Sequence, residues 1–119
     1  MIISQVISGG QTGADQAGLR AAKAASILTG GFAPKGWETD DGPAPWLDTD
    51  YGLIECKQPG YPPRTRVNVA ASTCVLWFGN PHSPGGKLTL ELARRYGKRV
   101  FVVIYESQPS DVVDWLVNY

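Results

Sequence analysis

Apolar residues in this chain come in short runs that alternate with segments of helical period, and most runs end in glycine or small polar residues. The run over 2–8 predicts a first strand. A helix-compatible segment over 16–25 follows. It sets Ala14, Ala17, Ala21 and Ala25, with Gly18 beside them, on one stripe at i, i+3, i+4 spacing. That stripe predicts a buried face of small side chains, widened by Leu19 and Ala22, with Arg20 and Lys23 pointing outward. Thr29-Gly30-Gly31-Phe32-Ala33 then reads as a helix stop and a short second strand, with glycine supplying the left-handed cap.

Regularity is lost over about 34–63, which holds most of the prolines, two tryptophans and most of the acids, with no sustained period of two or of 3.6. A connection this long is usually functional or a lid. Pro62 and Pro63 punctuate the start of a helix over 64–72, which would place Arg64 and Asn68 one turn apart on a common face. The continuous apolar run Cys74-Val75-Leu76-Trp77-Phe78 suits a strand buried on both faces. A second Gly-rich turn leads into an amphipathic helix over 88–96, stopped by Gly97. The run over 100–105 is a further strand, and 109–117 a closing helix capped by Ser110 or Asp111. Strands alternating with helices predict an α/β fold, an open and mostly parallel central sheet with helices on both faces.

Two junctions carry the chemistry. Ser8-Gly9-Gly10-Gln11-Thr12-Gly13-Ala14-Asp15 joins a strand to a helix N-terminus. Three glycines let backbone N–H groups approach a ligand, and the helix adds unpaired N–H groups and the positive end of its dipole. The spacing G-G-x-x-G matches neither the dinucleotide fingerprint nor the Walker loop, and no P-loop lysine follows. The plainer reading is a strand-to-helix turn. Gly79 to Thr89 repeats the arrangement, and ligands of parallel sheets bind at strand C-terminal ends. The two turns are therefore expected to converge on one anionic ligand.

Composition narrows the setting. With 119 residues, 43% of them hydrophobic, the chain is expected to be one globular domain over 1–119. Eleven basic and eleven acidic residues cancel, so the total argues for neither nucleic acid nor an anionic membrane. Acids cluster over 38–55, whereas Lys87, Arg94, Arg95, Lys98 and Arg99 crowd one later segment, a pattern of solvated faces or of complementary surfaces in a homo-oligomer. Cys56 and Cys74 form no C-x-x-C pair, and neither a metal site nor a membrane span is suggested. A cytoplasmic protein is expected.

The 8–15 run, with Gly31-Phe32-Ala33-Pro34-Lys35-Gly36, Asp41-Gly42-Pro43, Arg64-Thr65, Asn68-Val69, Ser83-Pro84-Gly85-Gly86 and Leu88-Thr89, resembles the bacterial molybdenum-cofactor carrier family. That family lies within the Rossmann-like group that includes the Lonely-guy phosphoribohydrolases and DNA-processing protein A. The resemblance covers nearly the whole chain and implies a Rossmann-like three-layer αβα fold. It also implies a binding protein for a phosphate-bearing small molecule, either the molybdenum cofactor (molybdopterin) or a nucleotide. Alternatives within the group are a nucleotide N-glycosidase or phosphoribohydrolase and a nucleotide-sensing signalling module. The hydrolases carry P-G-G-x-G-T-x-x-E. Here Leu88 replaces the glycine before Thr89, and Glu91 falls one residue early, a rotation of about 100° on a helix, so it is not expected to be catalytic. The chain also ends at Tyr119 before a final segment that many such relatives carry, so a partner chain is expected to complete an edge or part of the pocket.

Site expectations follow from both lines of reasoning. Gly9, Gly10 and Gly13 shape the first loop, with Gln11, Thr12 and the local amides at the phosphate. Gly85 and Gly86 shape the second, with Ser83 and Thr89 donating hydroxyls. Asp15 either accepts loop N–H groups or serves as a first-turn acid. Lys35 and Arg64 supply cations at the rim or lie on the surface, with Asn68 beside Arg64. His82, a lone loop histidine, is expected to be exposed. Trp37, Trp46 and Tyr51 either stack on a flat ring or form a local hydrophobic cluster.

Overall fold

The computed structural model describes residues 3–118. Its elements run β1 (Gln5–Ile7), α1 (Ala14–Ala24), β2 (Leu28–Gly30), β3 (Phe32–Ala33), α2 (Trp46–Tyr51), β4 (Ile54–Glu55), α3 (Tyr61–Ala71), β5 (Cys74–Phe78), α4 (Pro84–Arg95), β6 (Arg99–Val103) and α5 (Pro109–Val117). Strands and helices thus mix along the chain as the pattern predicts. Every strand pair among the described residues is parallel: β1 with β2, β3 with β4, β5 with β6. The fold is α/β and Rossmann-like. Two compact units divide in sequence between Asn68 and Val69, within α3.

In the first unit β2 and β3 are one extended stretch broken at Gly31, whose φ of +123° is open to glycine and strained for other residues. A Cβ at Gly31 would overlap the carbonyl oxygen of Ser8. Through this close crossing the Ser8 N–H donates to the Gly30 carbonyl at 3.0 Å, and the Ile54 N–H to the Gly31 carbonyl at 2.9 Å. The core gathers Leu19, Ala33, Ala44, Leu47 and Leu53, with Trp37 and Tyr51 packed against it. The helix face therefore differs from the expected small-residue stripe. Leu19 and Ala22 are the buried residues of α1, and Ala14, Ala17 and Ala21 are exposed. A leucine buries far more apolar area than an alanine methyl, so the helix presents Leu19 to the core.

The 34–63 stretch is tied down by its own apolar residues. Leu47 and Leu53 are fully buried, and Gly52 closes α2 in a left-handed conformation, φ 73°, with its N–H on the Asp48 carbonyl at 2.8 Å. Of its aromatic residues, Trp37 and Tyr51 join this packing, whereas Trp46, edge-on to Tyr51, and Tyr61 stay 42% and 37% exposed.

In the second unit β5 and β6 pair over five residues, Cys74 with Arg99 through Phe78 with Val103. Val75, Leu88 and Val100 pack against Val69, Leu92 and Ala93. β5 is not buried on both faces as expected. Leu76 and Phe78 are 36% and 51% exposed, while on β6 Phe101 and Arg99 meet Trp115 of α5, at 5.6 Å between ring centroids and 4.9 Å from guanidinium to ring. Gln108 is the cap of α5, one turn before Asp111, whose carboxylate accepts the Gln108 N–H at 2.8 Å. No described helix is long and apolar enough to cross a membrane.

Candidate functional site

The 8–15 loop is held open by positive-φ glycines and closed by its own side chains. Gly10 (φ 78°) and Gly13 (φ 85°) turn the chain from β1 into α1. Gly10 is pressed on the core: a Cβ there would sit 2.5 Å from Leu47 Cδ1. Ser8 Oγ accepts the Gly10 N–H at 3.2 Å and donates to the Asp15 carbonyl at 3.0 Å. Asp15 Oδ2 accepts the Gln11 N–H at 3.2 Å. Gln11 Oε1 accepts three groups: the Thr12 N–H at 2.9 Å, the Thr12 hydroxyl at 3.2 Å and the Asp40 N–H at 2.8 Å. Gln16 reaches back to the Gly10 carbonyl at 3.0 Å.

The donors expected to meet a phosphate are thus partly spent inside the loop. Those of Gly10, Gln11 and Thr12 have acceptors, whereas no side chain caps α1, and the N–H groups of Gly13, Ala14 and Asp15 have none among the described residues. These three lie at the positive end of the helix.

Arg64 arrives over this loop from the first turns of α3. Its guanidinium covers Gly9 so closely that a Cβ at Gly9 would lie 2.5 Å from Nη1. Nη1 donates to Thr65 Oγ1 at 3.3 Å and stands 3.8 Å from Asp15 Oδ2, and the group lies 5.2 Å from the Tyr61 ring centroid. The side chain is only 14% exposed, yet its buried Nε has no acceptor. An orphaned donor on a guanidinium is costly unless an acceptor completes it. Burial raises the Asp15 carboxyl above its ordinary value, with Arg64 and then the Gln11 N–H pulling it down. Burial also pushes the Cys56 thiol up, against the pull of Arg64.

Other expected site residues lie as follows. Asn68 spends both ends of its carboxamide on Phe32, accepting its N–H at 2.9 Å and donating to its carbonyl at 3.0 Å. Lys35 is exposed on a short 3-10 turn after β3. Sequence reasoning missed Gln16, Cys56 and the leucines behind Gly10. Gln16 carried a signal, a long polar side chain in the first turn of a helix; the others depend on packing between distant segments.

The second junction is a tight cap. Ser83 Oγ accepts the Gly86 N–H at 3.1 Å and donates to the Asn80 carbonyl at 3.0 Å, while Asn80 Oδ1 accepts the His82 N–H at 2.9 Å. Gly86 is buried, and a Cβ there would lie 2.8 Å from the Asn80 and Pro81 carbonyl oxygens. Gly85 and His82 are exposed, and Thr89 is buried. Glu91 bonds Arg94 at 2.7 Å and approaches Arg95 at 3.5 Å. The hydrogen bond and charge of Arg94 hold its carboxyl below the usual range, which suits a solvated ion pair and not a general acid. No cluster of metal-ligating side chains occurs among the described residues.

Residues 6–119 match the family described as "Circularly permutated YpsA SLOG family". Among solved structures the chain is similar to the crystal structure of the "Putative molybdenum carrier protein" from Syntrophus aciditrophicus SB. Identity is 33% and the TM-score 0.82, over 97% of this chain and 72% of that one. No curated protein matches the chain.

Proposed function

The chain belongs to the circularly permutated YpsA SLOG family, and from that premise we propose that it binds a phosphate-bearing small molecule at the 8–15 loop, without needing to transform it. The observation that carries this reading is the buried, acceptor-less Nε of Arg64 beside that loop. A phosphate oxygen would complete it in a charge-assisted hydrogen bond. The free N–H groups of Gly13, Ala14 and Asp15 suit the remaining oxygens, as helix N-termini commonly do.

The neighbouring structure's name, a molybdenum carrier, favours a pterin phosphate as the ligand. If molybdopterin is the cargo, its phosphate ester is the part these residues fit. Arg64 and the α1 amides would hold it, Gly9 would leave room for the guanidinium, and Asn68 would serve by fixing the Phe32 backbone. A nucleoside monophosphate presents the same ester, so the two are separate arms of one test.

The test is calorimetric titration of the protein with a pterin monophosphate and, separately, with adenosine monophosphate. Both phosphates are expected to lose at least about tenfold in affinity in Arg64→Gln, the scale of one charge-assisted bond. The arm that binds tighter identifies the ring. Equal affinity in wild type and Arg64→Gln would overturn the reading.

A further inference from the structure

We infer that Asp15 is the specificity-determining residue of the 8–15 loop: its carboxylate stands where an anion would bind, so an oxyanion is admitted only as Asp15 takes up a proton. This rests on the phosphate-binding reading above and names the control built into that site.

The geometry gives the reason. Asp15 Oδ2 already holds two groups that an oxyanion would seek, the Gln11 N–H at 3.2 Å and the guanidinium of Arg64 at 3.8 Å. Free donors at the helix end of the loop are the N–H groups of Gly13, Ala14 and Asp15 itself, on the same turn. An oxyanion bound to them and to Arg64 Nε lies within a few ångströms of the carboxylate. Like charges at that separation disfavour double ionisation; a phosphate ester can relieve this by taking a proton itself, but with an anion that takes none in this range, such as sulfate, Asp15 is the group that gains one. Once protonated, Asp15 changes from a competitor for donors into a donor itself. Proton balance is simple: one proton from solvent per anion bound, carried on the Asp15 carboxyl.

The surrounding charges act in a defined way. Arg64, from α3, is the charged side chain facing Asp15; the thiol of Cys56, just past β4, lies in the field of Arg64. Asp40, from the turn after the 3-10 segment, meets the loop through its backbone N–H on Gln11. Ser8 and Gln11 are uncharged. Burial favours the neutral carboxyl, the same direction in which an arriving anion would act.

Sulfate is the probe, because it keeps both charges throughout the working range and brings no proton of its own. Loop amides are followed by nitrogen-15 correlation spectra as sodium sulfate is added at about pH 5.5 and about pH 8.0. Wild type is expected to bind at least about tenfold tighter at the lower pH, and Asp15→Asn, which can still accept the Gln11 N–H, to vary by less than about threefold. The variant changes no other ionisable side chain, so the difference isolates Asp15. The same pH dependence in both proteins would overturn the inference and leave the phosphate site standing. No shift of the loop amides in either protein at either pH would overturn the site reading and the inference with it. A second measurement needs no variant: the side-chain carboxyl carbon of Asp15 in wild type should titrate at higher pH with sulfate than without, and an unchanged or lower midpoint would overturn the inference.

Discussion

Gly31 connects the loop to the sheet. Its φ of +123° and the overlap that any Cβ would make with the Ser8 carbonyl put two independent penalties on a substitution. Gly31→Ala is therefore expected to cost at least about 2 kcal/mol, read as a lowered urea midpoint with unchanged slope. Gly9 acts differently. It leaves space for Arg64, so the glycine pattern of the 8–15 loop was legible in the sequence, but its reason was not. Periodicity marks a strand and a helix; it carries no sign that a guanidinium more than fifty positions later will lie on the first glycine of the run.

Asn68 ties two elements together. On α3, it clasps the Phe32 backbone of β3 at both ends of its carboxamide. Asn68→Ala removes both bonds and leaves a partly buried N–H and C=O without partners. Its expected cost is about 2 kcal/mol, measured by thermal or urea unfolding. Because the clasp holds α3, which carries Arg64, a weakened anion affinity should accompany the loss.

The order of strands and helices was legible because apolar runs and helical stripes differ in period. The buried face of α1 was not. A stripe of alanines looks like a helix face in sequence, but Leu19 outweighs it once Ala33, Leu47 and Leu53 offer a core. The 34–63 stretch hid α2 and β4 for a related reason: six residues of helix and two of strand are too short to establish any period.

At the scale of the whole molecule, family membership and the parallel strand pairs agree with what the alternation of elements implies. Motif order along the chain made the family legible, since seven short matches in sequence order are far more specific than any one of them. Charge is distributed to suit a neutral protein that recognises an anion locally: the formal net charge is zero, and the cation used by the proposed site is a single, largely buried arginine. Affinity for a phosphate should therefore reside in the loop and not in a general field.

The most direct measurement is anomalous diffraction from crystals grown on the acid side of neutrality with selenate, a tetrahedral oxyanion whose selenium can be located unambiguously. A selenium peak is expected at the N-terminus of α1, the oxygens within about 3 Å of Arg64 Nε and of the Gly13 or Ala14 N–H. Selenate ordered elsewhere on the protein, with no peak at that loop, would contradict it.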